Sequence, residues 1–285
     1  RVSPFLITNM LADTASGQIA IDLGLQGPNF AVTAACASGG AATGEAASII
    51  QRGEADIILT GGYEAPLQPV FYAGFNAMKA LATADNPIQA VKPFDLDRNG
   101  FILGEGSAML ILEELEHAKL RGAHIYAELS AAATSADAFD MVAASGEGIA
   151  HAMRAALLQA DLTPEDIGYI NAHGTGTPLN DRVETQAIKG VFKESAYKLA
   201  VSSTKGATGH MMGAAGAVEA ALTIMAVRDQ ELPPTLNYMN SDPDCDLDYV
   251  PNISRPVEID HAMSTSVGLG GHNSAIILSK WINDM

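Results

Sequence analysis

Short runs of aliphatic and β-branched residues alternate along this chain with longer segments in which alanine and other small residues recur at helical spacing. The predicted strands cover residues 30–34, 55–60, 108–112, 126–131, 167–172, 199–202 and 274–279. Helices are predicted over 38–52 and 148–160, together with a polar helix that ends at Gly122. Strand, crossover helix and strand in this order are typical of an α/β fold with a buried, largely parallel sheet.

The charge and the hydropathy of the chain exclude several classes of function. Sixteen lysine and arginine residues against 33 acidic residues give a formal net charge of −17, which argues against general nucleic-acid binding. The most apolar segment, 216–227, contains Glu219 and is shorter than the ~20 residues that a bilayer requires. Two cysteines without a Cys-x-x-Cys pair favour a reducing compartment, so we expect a cytoplasmic protein that is not inserted in a membrane.

Cys36 lies between a predicted strand and a predicted helix, among small residues. The unpaired N–H groups and the positive dipole end of a helix N-terminus favour a thiolate, so the sequence predicts a lowered pKa for Cys36. Its small neighbours leave room for an acyl group beside the sulfur. A buried structural cysteine is the alternative at this stage. Cys245 stands between Asp244 and Asp246, whose charges are expected to raise the pKa of its thiol and keep it inert.

Two histidines and a lysine lie on other predicted strand-to-helix loops. His173 follows a strand in a glycine-rich loop, while Lys205 and His210 lie between a strand and a helix rich in alanine and glycine. Combined with Cys36, these residues favour a nucleophile with proton donors over four unrelated structural residues. The spacing of Cys36, His173 and His210 matches no standard zinc pattern, so no metal site is predicted.

Five segments, taken in this order along the chain, closely resemble one enzyme family. They are ACASG (35–39), NAHGTGT (171–177), STKG (203–206), GHMMGAAG (209–216) and GLGGHN (268–273). The family is that of the β-ketoacyl-acyl carrier protein synthases of type I/II, condensing enzymes of the thiolase superfamily that are related to polyketide ketosynthases. The resemblance runs the full length of the chain, and the Cys-His-His set separates it from relatives that use Cys-His-Asn.

The resemblance implies a thiolase-like five-layered α-β-α-β-α fold with two pseudo-duplicate halves. The remainder of the N-terminal half, with the nucleophile, is expected over residues 1–122, and the C-terminal half, with both histidines, over 123–285. Members of the family are longer at the N-terminus, so the first half is expected to be incomplete and its sheet to lack strands that a stable domain needs.

The resemblance also assigns roles to individual residues. Cys36 is expected to take the acyl chain from a carrier thioester, and the backbone N–H groups of Cys36 and Leu269 to form an oxyanion hole. His173 and His210, both neutral, are expected to stabilise the enolate formed by decarboxylation of malonyl carrier, which then attacks the acyl-cysteine. Lys205 is expected either to order the His210 loop through Glu184 or to be a structural ion-pair member. The remaining implied roles are binding of phosphopantetheine by Thr175 and Thr177 and a buried structural pairing for Glu219.

The implied partners are an acyl carrier protein and a second copy of the chain in a homodimer. No redox cofactor or metal is implied, since phosphopantetheine arrives on the carrier protein. Because the carrier is itself acidic, a local basic patch is expected to dock it. Val267 and Leu269 stand where the family usually has phenylalanines, which predicts a less selective acyl gate and a broad acyl range.

Two other functions remain as alternatives at this stage. One is a non-catalytic partner subunit like the chain-length factors, which lack the nucleophile that Cys36 supplies here. The other is a CoA-dependent thiolase, which needs a second catalytic cysteine where this chain has His272. Acyl chain length, and the choice between a fatty acid and a polyketide pathway, are left open by the sequence.

Overall fold

A computed structural model describes residues 2–282 of the chain. In this part of the chain the strands are β1 Ile57–Glu64, β2 Gly106–Glu113, β3 Glu128–Ala136, β4 Ile167–Asn171, β5 Ala200–Ser202, β6 Glu231–Leu232, β7 Arg255–Pro256, β8 His261–Gly268 and β9 His272–Ser279. The helices are α1 Leu6–Met10, α2 Thr14–Leu23, α3 Ser38–Gln51, α4 Pro69–Ala77, α5 Leu115–Leu120, α6 Glu147–Gln159, α7 Pro178–Phe192, α8 Lys205–Thr208 and α9 Ala215–Asp229.

The larger sheet has five strands in the order β3-β9-β8-β4-β5. Strand β4 runs parallel to both β8 and β5, whereas the β3–β9 and β8–β9 pairs are antiparallel. The prediction of a largely parallel sheet is therefore wrong, because β8 and β9 form a hairpin joined by a short glycine-rich turn. The main hydrophobic core lies against this sheet and draws on β3, β4, β9, α6 and α7.

Helices α3 and α9 lie between the two sheets and touch each other closely. Each helix packs against β1 and β2 of the smaller sheet and against strands of the larger one. A Cβ on Gly39 of α3 would lie 2.5 Å from the backbone nitrogen of Ala217 in α9, so only glycine permits this approach. Helices α6 and α7 cover the opposite face of the larger sheet. These are four of the five layers that the family resemblance implies, in the implied order: small sheet, helices, large sheet, helices.

The smaller sheet consists of β1 and β2 in antiparallel register. On its inner face, Leu110 packs toward α9. On its outer face, Met109 and Ile111 are exposed, and Ile111 exposes 67% of its surface. Helix α2 has no buried residue and does not form an outer layer over this face. The described part of the first half thus matches the incomplete sheet that the sequence predicts.

Most predicted elements are present, with two informative errors. Residues 30–34 form no strand: only a bridge from Ala34 to Cys36 is made, and Phe30 is half exposed, since no described strand lies alongside. Strand β8 was missed because its Ser- and Thr-rich sequence shows neither alternation nor an apolar run, although nearly all of it is buried at the centre of the sheet. Its hydroxyl groups are accommodated by buried partners such as Glu184.

The apolar segment 216–227 forms most of α9, which has 15 residues and buries Glu219. Among residues 2–282, no helix has both the length and the apolar character required to cross a bilayer. The segment is apolar because α9 is enclosed between the two sheets. The division into halves at residue 122 remains a prediction.

Candidate active site

Cys36 lies two residues before α3, in a tight turn that holds Ala35 at φ +49°. Ser38 closes this turn: its hydroxyl donates to the carbonyl of Ala35 and accepts from the N–H of Ala34. Opposite the turn, a Cβ on Gly268 would lie 2.7 Å from the carbonyl oxygen of Ala34. A glycine at 268 therefore lets the end of β8 approach Cys36.

Burial raises the pKa of the Cys36 thiol to about 11. The positive charge of Lys205 and the backbone N–H groups of Leu269 and of Cys36 itself lower this pKa, but by less than burial raises it. The predicted lowering of the Cys36 pKa is therefore wrong for the free enzyme, because the loss of hydration outweighs the N–H groups and the nearby cation. These are the two N–H groups predicted to form the oxyanion hole, and that role remains a prediction.

The two predicted histidines meet edge to face. The ring of His173, just beyond β4, lies 5.2 Å from the ring of His210 at an interplanar angle of 82°. The backbone N–H of His210 donates to the carbonyl of Ile102 at 2.7 Å, and Phe101 packs edge-on against the His210 ring at 5.2 Å. Residues 101 and 102 therefore hold His210 through both its backbone and its ring.

The pKa values of His173 and His210 lie well below the usual value for histidine. Burial is the main cause for both rings, followed by the positive charge of Lys205. Both rings are therefore neutral at physiological pH, which agrees with the sequence-based expectation. Within the described residues, Nδ1 of each ring is buried and has no hydrogen-bond partner.

Lys205 pairs with Glu219, not with Glu184 as the sequence analysis expected. The Lys205 Nζ contacts Oε1 of Glu219, and both side chains are almost fully buried. The expected pairing was wrong because Glu184 is occupied elsewhere, whereas Glu219 projects from α9 toward the lysine. Burial raises the pKa of Glu219 to about 7, and Lys205 opposes that increase. The buried structural pairing predicted for Glu219 is confirmed.

Glu184, on α7, holds the His173 loop through backbone hydrogen bonds. Its carboxylate accepts from the N–H groups of His173 and Gly174, each at 2.8 Å, and from the hydroxyl of Thr265 at 2.9 Å. Burial raises the pKa of Glu184, and these three donors lower it. The residue thus positions the loop that carries the histidine, and does so without contacting Lys205.

Thr175 and Thr177 both make hydrogen bonds within the chain. Their hydroxyl oxygens lie 2.9 Å apart, and the Thr177 hydroxyl accepts from the N–H of Asn180, which caps the start of α7. Thr175 is buried and Thr177 half-buried. Their predicted contact with phosphopantetheine remains a prediction, and any such contact must share hydroxyls that already stabilise the loop.

Leu269 lies in the turn between β8 and β9 and exposes 37% of its surface. The glycines that follow, Gly270 and Gly271, have φ of +83° and +75°. The loop that follows β3 fixes this turn. The N–H of Gly270 donates to the carbonyl of Met141, and the N–H of Asp137 donates to the carbonyl of Gly271. The side chain of Leu269 is thus accessible at the site, while its backbone is anchored.

Three further features of the site were missed by sequence reasoning. Met212 lies against Cys36, with Sδ 4.0 Å from Sγ. Phe101 and Leu103 complete the buried apolar cluster around the sulfur. The third is a buried carboxylate, Asp181, which accepts from the N–H groups of Phe94 and of the His173 loop. The Thr-Pro pair at the start of α7 was the available signal for that helix and its carboxylates.

Cys245 is fully buried, and its pKa is raised to about 11. The direction agrees with the sequence prediction, but burial is the largest cause. The carboxylates that contribute are Asp181 and Asp242, and not the flanking Asp244 and Asp246. Cys245 lies in the main core cluster, whereas Cys36 lies in a separate buried cluster with Phe101, Leu103 and Met212.

Both parts of the chain match models of one protein family. Residues 1–118 match the family model of the β-ketoacyl synthase N-terminal domain, and residues 126–239 match that of the C-terminal domain. The 3-oxoacyl-[acyl-carrier-protein] synthase 2 of Staphylococcus aureus (strain COL) is 47% identical over 283 residues, which cover 99% of this chain and 68% of the relative. The enzyme of the same name from Synechocystis sp. is 49% identical over 284 residues, with the same coverage.

Solved structures agree with this assignment. One is the ketosynthase in a complex described as a type II polyketide synthase acyl-carrier protein with its ketosynthase bound to the hexaketide. It superposes with a TM-score of 0.96 at 38% identity, over 99% of this chain and 70% of that chain. The chain therefore belongs to the β-ketoacyl synthase family and has the thiolase-like ketosynthase fold.

Proposed function

We propose that this protein catalyses the decarboxylative Claisen condensation of an acyl thioester with malonyl-acyl carrier protein. The observation that carries the proposal is the arrangement around Lys205. Its positive charge lowers the pKa of Cys36, His173 and His210 together, so one buried cation acts on a nucleophile and on two neutral donors. The curated relatives bear the name of this activity.

In the first step, Cys36 attacks the acyl thioester of the carrier protein. A bond forms between Sγ and the acyl carbonyl carbon, and the carrier sulfur leaves with the proton from Cys36. The backbone N–H groups of Cys36 and Leu269 stabilise the negative oxygen of the tetrahedral intermediate. Lys205 favours the thiolate over the thiol, which offsets part of the increase in pKa caused by burial.

In the second step, malonyl carrier loses carbon dioxide, and the electron pair of the broken C–C bond forms an enolate. Neutral His173 and His210 donate N–H hydrogen bonds to the enolate oxygen. The enolate carbon then attacks the acyl-cysteine carbonyl, a C–C bond forms, and the C–S bond to Cys36 breaks. The product is a β-ketoacyl carrier that is longer by two carbons, and the Cys36 thiolate takes up a proton from solvent.

An acyl carrier protein is the proposed partner. It carries the phosphopantetheine arm to which the acyl group is attached, so the protein needs no cofactor of its own. The homologous ketosynthase complexed with an acyl-carrier protein supports this choice. A homodimer and a cytoplasmic location are also proposed. Thr175, Thr177 and Leu269 are the residues proposed to contact the pantetheine arm.

Cys36 favours this function over the two alternatives. A chain-length-factor-like subunit has no use for a buried cysteine beside two N–H donors and a cation. A thiolase needs a second cysteine in the glycine-rich segment, and that position holds His272. Neither alternative has an observation in its favour that the condensing enzyme lacks.

The experiment that tests the proposal is intact-protein mass spectrometry after incubation with acyl carrier, before and after malonyl carrier is added. The wild type should gain one acyl mass and lose it when malonyl carrier arrives. Cys36→Ala should gain none, whereas Cys245→Ala, the matched control, should acylate normally. Acylation of Cys36→Ala at the wild-type level would contradict the proposal.

A further inference from the structure

Met212 occupies an unusual position for a methionine. It begins the 3₁₀ turn Met212–Ala214, two residues after His210, and its φ of +44° lies in the left-handed region that disfavours residues with a side chain. Its side chain is buried. Backbone strain of this kind persists only where surrounding contacts hold it, and it clusters at functional sites.

The contact that accompanies this strained backbone is with the nucleophile. Sδ of Met212 lies 4.0 Å from Sγ of Cys36, and the two residues share a buried apolar cluster with Phe101 and Leu103. Cys36 itself exposes only 7% of its surface. A group bonded to Sγ therefore requires a neighbouring side chain to move.

The aromatic neighbour in this cluster is restrained. Phe101 packs edge-on against Phe75 at 5.3 Å on one side and against His210 at 5.2 Å on the other. Leu103 is branched, and its backbone bridges to that of His210. Met212 is the unbranched member, with three side-chain torsions and a polarizable sulfur that adapts to irregular space.

We propose that Met212 lines the acyl site with a side chain that can change rotamer. In this position it limits the size of the group bonded next to the thioester carbonyl. This inference rests on the proposed function, because only an acylated Cys36 requires a neighbouring side chain that can move. Straight acyl groups require a rotation of the methionine side chain alone. A branch at the carbon beside the carbonyl requires space that Met212 fills, so this residue disfavours branched acyl groups.

The space beside Sγ can be measured with two alkylating probes, iodoacetamide and its α-methyl homologue 2-iodopropanamide. In both reactions Sγ forms a bond to the α-carbon, the C–I bond breaks, iodide leaves and the thiol proton passes to the buffer. The ratio of the two rate constants at Cys36, followed by peptide mass and divided by the same ratio for free glutathione, reports steric restriction alone. This ratio does not depend on the carrier protein.

Met212→Ala should raise the relative rate of the branched probe by about 10-fold or more, the size of effect expected from one or two methylenes in an apolar pocket. Met212→Leu, similar in volume but less adaptable, should give no increase. Met211→Ala is the matched control, because that side chain faces Gly104 and Gly106 instead, and it should stay within twofold of wild type. Thermal unfolding of each variant shows which ones are folded.

Acylation by butyryl carrier and 2-methylpropanoyl carrier provides the second readout, and Met212→Ala should shift this ratio toward the branched substrate. A probe ratio within twofold of wild type in folded Met212→Ala would overturn the inference. If the probe ratio shifts but wild type gains no acyl mass from either carrier, the steric role of Met212 stands and the proposed function fails.

Discussion

Residues 2–122 and residues 123–282, called the first and second half below, differ in how completely their sheets are enclosed. The five-stranded sheet of the second half is covered on both faces, and most side chains of β8 and β9 are buried. The two-stranded sheet of the first half has one covered face, and large apolar side chains such as Phe30 and Ile111 are exposed. Cys36 belongs to the first half but is fixed by Gly268, Leu269 and Met212 from the second. The geometry of the nucleophile therefore depends on the better-enclosed half.

The largest effect expected from this comparison is on stability. Ile277→Ala in β9, a fully buried position, should lower the free energy of unfolding by about 2–5 kcal/mol, because a buried cavity is created. Ile111→Ala in β2, at an exposed position, should change it by less than ~0.5 kcal/mol. Chemical denaturation of both variants gives the two values. A cost above ~1 kcal/mol for Ile111→Ala would mean that the outer face of the small sheet is covered in the folded protein.

The second effect distinguishes the role of the two histidines in the second half from that of Cys36 in the first half. His173→Ala and His210→Ala remove donors to the enolate oxygen, so each should slow release of carbon dioxide from malonyl carrier by on the order of 100-fold or more. Acyl transfer to Cys36 should change much less, since the N–H groups of Cys36 and Leu269 remain. Single-turnover acylation and carbon dioxide release measured on the same preparations test this split. Equal losses in both steps would instead assign the histidines to the positioning of Cys36.

The sequence predicted the site better than the sheets. Strong local signals, such as the small residues around Cys36 and the glycine-rich loop at His173, identify residues that the structure brings together. What sequence reasoning missed depends on contacts between distant segments. Strand β8 is polar yet central. Lys205 pairs with Glu219 rather than Glu184, whose carboxylate accepts from His173, Gly174 and Thr265. The pKa of Cys36 depends on burial, which a local motif does not report.

The burial of Glu219 also makes stability depend on pH, and this is the smallest effect expected. Its pKa is raised to about 7 in the folded protein, above the unfolded value near 4.5. The native state therefore binds more protons than the unfolded state between these pH values, and stability falls as pH rises through this window. From pH 6 to 8 the loss attributable to Glu219 should be about 1 kcal/mol, after which it levels off.

Other buried groups titrate nearby, so the test compares variants across pH. His173 and His210, with lowered pKa values, contribute stability that rises with pH, whereas Asp181, with a pKa raised to about 6, acts in the same direction as Glu219. Subtracting the pH profile of Glu219→Gln from that of wild type removes the contributions of groups that do not depend on Glu219. The difference should fall from pH 6 to 8, while exposed Glu258→Gln should reproduce the wild-type profile. A flat difference would mean that Lys205 keeps Glu219 ionised throughout, so that the ion pair between the two sheets outweighs the cost of burying its charges.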